Sequence, residues 1–75
     1  MYLHVCSGEG DSLEAAIAQA EHALAVWRDG MNRDKRGTPL DYEILAYATA
    51  LSQAYHPEQR AMHYSFVISV TYTIS

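Results

Sequence analysis

The last fifteen residues, AMHYSFVISVTYTIS, alternate without a break. Met62, Tyr64, Phe66, Ile68, Val70, Tyr72 and Ile74 form one set of positions, and His63, Ser65, Val67, Ser69, Thr71 and Thr73 form the other. A period of two puts the sets on opposite faces of a β-strand. Aromatic and β-branched residues dominate, with no Gly or Pro. The segment therefore reads as one strand with an apolar face and a hydroxyl-bearing face. About fourteen residues at roughly 3.3 Å each would span some 45 Å.

Such a strand needs neighbours along its edges. Tyr2 to Cys6 also alternate, with Leu3 and Val5 on one face and Tyr2, His4 and Cys6 on the other, but a strand of this extent covers only part of the longer one. A bare apolar edge invites pairing with another chain. The expected solution is a homodimer in which two C-terminal strands pair antiparallel across a two-fold axis, with Phe66, Ile68, Val70, Tyr72 and Ile74 at the interface. A break near Ser69 is the alternative.

Between the strands the period changes. SGEGDS reads as a turn, and Asp11 with Glu14 resembles a capping box that starts a helix near Ser12. Leu13, Ile17, Ala20, Leu24 and Trp27 then make one apolar stripe, and Gly30 is placed to end the helix. GMNRDKRG reads as an exposed connection. Thr38 as cap, Pro39 at the first helical position and Asp41 near the dipole announce a second helix. Its stripe is Leu40, Ile44, Tyr47, Leu51 and Tyr55, and Pro57 ends it. The expected fold is α+β in the order β-α-α-β: a helical hairpin on one face of an antiparallel sheet that continues across a homodimer. Residues 1–75 make one small domain.

Composition narrows the partners. Nine acidic residues against five basic ones give a net charge of -4, which opposes non-specific attraction to nucleic acid or an anionic membrane. The basic residues gather at Arg28, Arg33, Lys35 and Arg36. No apolar run approaches the roughly 20 residues that span a bilayer, and the opening residues do not resemble a signal peptide. One Cys excludes an intrachain disulfide and agrees with a reducing compartment. A cytoplasmic location is expected.

Candidate chemistry is sparse. His4, Cys6 and His63 carry ligand types suited to zinc, but without CxxC or HxxxH spacing. The same thiol and imidazoles suggest an activated nucleophile, for which no third orienting residue is evident. Glu21, His22 and Glu43 fit the solvated face of a helix better than an acid-base pair. SGEG lacks the GxxxxGK pattern of a phosphate loop. Tyrosine is favoured where one end of a ring is dry and the other wet, so Tyr42 and Tyr47, with Arg33, Lys35 and Arg36, are the candidate partner-binding residues.

The expected function is that of a non-enzymatic, small, acidic, oligomeric protein that binds or regulates another protein, as phage and mobile-element accessory proteins do. No cofactor or metal is expected. The alternatives are a metal or thiol site at His4, Cys6 and His63, and nucleic-acid contact through residues 33–36.

Overall fold

A computed structural model describes residues 1–32 and 41–74. Their order is β1 (Tyr2–Gly10), α1 (Leu13–Met31), β2 (Tyr42–His56) and β3 (Ala61–Ile74). One helix packs on a three-stranded antiparallel sheet of order β1-β3-β2. The class is α+β, and the long C-terminal strand lies at the centre of the sheet.

β1 continues through the segment read as a turn, with Cys6 opposite Ile68, Gly8 opposite Phe66 and Gly10 opposite Tyr64. Gly8 is buried where the strand passes beneath the helix. Ser12, not Asp11, caps α1: its hydroxyl accepts from the Ala15 N–H at 3.1 Å. The helix runs past Gly30 and ends where the Asn32 N–H donates to the Arg28 carbonyl at 2.9 Å. The later part of the predicted stripe faces the sheet, while Leu13 at its start is exposed. Ala20 is fully buried, and Leu24 and Trp27 pack beside the small core of Cys6, Ala20, Ile68 and Val70. Small side chains at Ala16 and Ala20 let the helix approach β1 closely.

The second helix is not formed. Residues 42–56 are β2, paired with β3 from Tyr42 opposite Ile74 to His56 opposite Ala61. A bulge at Leu45 separates the pairs Ile44–Tyr72 and Ala46–Thr71, and one extra residue shifts the face on which later side chains lie. The large apolar side chains on the core side from Ile44 onward are therefore Ile44, Tyr47, Leu51 and Tyr55, at intervals of three, four and four that imitate a helix, with Thr49 and Gln53 between the last three on the same face. Thr38, Pro39 and Leu40 lie outside the described residues.

Pro57 opens the turn between β2 and β3. The Gln59 N–H donates to the His56 carbonyl at 3.1 Å and the Arg60 N–H to the Pro57 carbonyl at 3.2 Å, while Arg60 adopts φ 50°. Pro suits the second position of such a turn as well as it suits a helix stop.

Both edges of β3 are consequently occupied by its own chain: β1 along Tyr64–Tyr72 and β2 along its full length. The two-fold pairing expected through β3 has no free edge to use. Ile68 and Val70, expected at that interface, are buried under α1.

Candidate functional site

The helix lies over β1 and β3 and leaves most of β2 uncovered. Tyr47 opposes Val70, Leu51 opposes Phe66 and Tyr55 opposes Met62. Directly opposed residues share a face, so these three side chains stand on the core side of the sheet. They are nevertheless 48%, 49% and 58% exposed. The reverse face is low and apolar along β2, where Ala46, Ala48, Ala50 and Ala54 oppose Thr71, Ser69, Val67 and His63. The outer edge of β2 has no pairing partner among the described residues. It carries no Pro, Lys or Arg to blunt it.

An aromatic group closes one end of the sheet. The Trp27 ring stacks on His4 with centroids 4.6 Å apart and an interplanar angle of 8°, and meets Tyr72 edge-on at 5.1 Å. Tyr72 in turn stacks on Tyr2 at 5.4 Å. Tyr42 approaches Trp27 edge-on at 6.3 Å, and its hydroxyl donates to Asn32 Oδ1 at 3.1 Å. These contacts fasten the C-terminal turn of α1 to all three strands.

The opposite end, beside the β2–β3 turn, holds two imidazoles and two carboxylates. His56 Nδ1 lies 3.3 Å from Glu58 Oε1, and His63 Nε2 lies 3.7 Å from Glu9 Oε2. The two rings stand perpendicular with centroids 5.5 Å apart. The Glu58 carboxyl is held below the usual carboxylate range, first by a hydrogen bond from its own backbone N–H and then by His56.

The residues singled out in the sequence are dispersed. His4 is taken up by the stack on Trp27, Cys6 is buried in the core, and burial pushes its thiol pKa up. His63 is on the other face of the sheet with Glu9, so the register separates it from His4 and Cys6. Among the described residues, no three His, Cys, Asp or Glu side chains converge on a metal position. Phe66 and Tyr72 are half-buried beside the core, while Ile74 is exposed. Of the partner-binding candidates, Tyr42 is half-buried at the aromatic end and Tyr47 is exposed on β2; Arg33, Lys35 and Arg36 lie outside the described residues.

No family model, curated protein or solved structure matches this chain. Among the described residues, no helix is long and apolar enough to cross a membrane. Leu51, His56, Glu58 and Glu9 are not marked as a site by the sequence. The alternation of small and large residues along AYATALSQAY was the available signal for an edge strand.

Proposed function

We propose that this chain is a non-enzymatic, self-assembling cytoplasmic protein that binds or regulates another protein, and that its copies join through β2. Its shape carries the proposal. The radius of gyration is 15.3 Å and the molecule measures 48 × 22 × 16 Å, whereas a compact chain of this length has a radius near 11 Å, at about 2.2·N^0.38 Å. The accessible surface is 5446 Å², about 800 Å² above the value expected for a compact monomer of this mass. One side of a standard protein interface buries about the same area.

Part of that surface is apolar and lies on β2. Leu45, Tyr47, Leu51 and Tyr55 are all exposed on this strand, with Thr49 and Gln53 between the last three on the same face, and single chains rarely leave such large apolar side chains and so plain a strand edge open together. A second copy laid against β2 would pair the edge, cover the tyrosines and thicken a core that now holds five buried apolar side chains among the described residues. The tyrosines that remain at the rim of the assembly, together with the acidic balance, supply a surface for a protein partner rather than a polyanion.

Sedimentation velocity at tens of micromolar tests the assembly. The expected result is a particle heavier than one chain, shifted toward the single chain by Leu51→Glu with Tyr55→Glu. A single-chain mass for the unaltered protein would overturn the proposal. For the partner, a stoichiometric protein retained from the source cell and released by Tyr47→Glu is expected. Retention that ignores β2 would place the contact elsewhere.

A further inference from the structure

We propose that His56 and His63 form a surface site for a divalent transition metal such as Zn2+, with Glu58 and Glu9 orienting the two imidazoles. The site goes beyond the assembly proposed for β2 and needs only one chain.

The backbone register brings the pair together. His63 stands opposite Ala54 and His56 opposite Ala61, so the two histidines are diagonal neighbours on one face of a hairpin, within reach of long side chains. Their ring centroids are 5.5 Å apart. A zinc ion about 2.1 Å from one nitrogen of each ring, at a tetrahedral angle, places the ring centres about 5 Å apart. The hairpin turn beginning at Pro57 fixes the strands that carry them.

The carboxylates decide which nitrogens are available. Glu58 approaches Nδ1 of His56, and Glu9 approaches Nε2 of His63. The opposite nitrogens, Nε2 of His56 and Nδ1 of His63, are left to bind metal. A metal-bound imidazole characteristically directs its other N–H to a carboxylate, which fixes the tautomer and strengthens the ligand. Here His56 has that contact with Glu58 at 3.3 Å, and Glu9 stands at an ion-pair distance of 3.7 Å from His63. Two nearby negative charges also raise the local attraction for a cation. With only two protein nitrogens offered, the remaining coordination positions fall to water or to a small exogenous donor, so the ion is exchangeable rather than structural.

The test is a calorimetric titration of tag-free protein with Zn2+ alone, paired with the visible absorption of Co2+ as a readout of nitrogen ligation. One ion per chain is expected. His56→Gln and His63→Gln should each weaken binding at least tenfold, and Glu9→Gln about tenfold through loss of the orienting contact. His22→Gln, on the exposed face of α1, should leave it unchanged. Circular dichroism of each variant confirms that the fold is retained, and both histidines are only half-buried, so either can be replaced without opening the core. No saturable binding to the wild-type protein, or binding that survives both histidine substitutions, would overturn the site.

Discussion

Gly8 lies so close to Ala16 that a Cβ on the strand residue would stand 2.2 Å from the helix carbonyl oxygen and 2.5 Å from the nitrogen of Ala20. Both obstacles are backbone, so the helix itself would have to move. Gly8→Ala should therefore cost about 2–3 kcal/mol, at the upper end of overpacking. Gly30→Ala provides the contrast: its Cβ would meet nothing within 4 Å, and replacing a glycine inside a helix should add about 0.5–1 kcal/mol. Urea unfolding of the two variants checks both signs. Equal effects would mean that the β1–α1 contact does not set the helix position.

The extent to which this arrangement was legible in the residues depends on the element. The β3 alternation and the α1 stripe survive into the structure because each obeys one period throughout. β2 does not, since the extra residue at Leu45 changes its facing positions and Tyr47, Leu51 and Tyr55 are spaced by four, twice the strand period and close to one helical turn. Pro57 compounded the ambiguity because it ends helices and opens turns alike. Once residues 42–56 are a strand, the partner sought in another chain for β3 is supplied from within, and the unpaired edge moves to β2. The same substitution of strand for helix explains why the His56–His63 pair was invisible: the two residues become neighbours only across the hairpin.

Trp27 is the hinge pin of the aromatic end, stacked on His4 and edge-on to Tyr72 and Tyr42. Trp27→Ala removes all three contacts and should lower stability by about 3 kcal/mol, whereas Trp27→Phe keeps a ring over His4 and should lose less than about 1.5 kcal/mol. Far-UV circular dichroism during denaturation is the appropriate probe, because Trp27 is the only tryptophan. Similar losses for the two variants would deny the aromatic stack its role.

Arg60 occupies the left-handed region at φ 50°, where a side chain carries a penalty of roughly 1–2 kcal/mol that glycine avoids. The greater freedom of glycine in the unfolded chain offsets part of that gain. Arg60→Gly should thus stabilise the protein by about 0.5–1 kcal/mol, while Arg60→Val, β-branched at the same dihedral, should destabilise it by about 1 kcal/mol. Thermal melts of the pair would show opposite shifts. A stabilising valine would contradict the turn geometry.

Cys6 is 4% exposed, with Ala20, Ile68 and Val70 around it, and burial raises its thiol pKa. The neutral thiol is the form the core accepts. Because the native pKa lies above the unfolded value of about 8.5, this contribution to stability is complete below that value and is lost as pH rises through the native pKa. Cys6→Ala should lower stability at pH 7 through the cavity it leaves, by about 1–2 kcal/mol. Its disadvantage relative to the native protein should shrink by pH 10, since only the native protein must keep or expose a thiolate. Urea unfolding of both proteins at the two pH values measures that difference, with tyrosine ionisation common to both. A gap that stays constant or widens with pH would show that the sulfur is not confined as the core geometry requires. Native alkylation by iodoacetamide should likewise be slow at pH 8 and accelerate with denaturant, because the thiolate must leave the core before it can react.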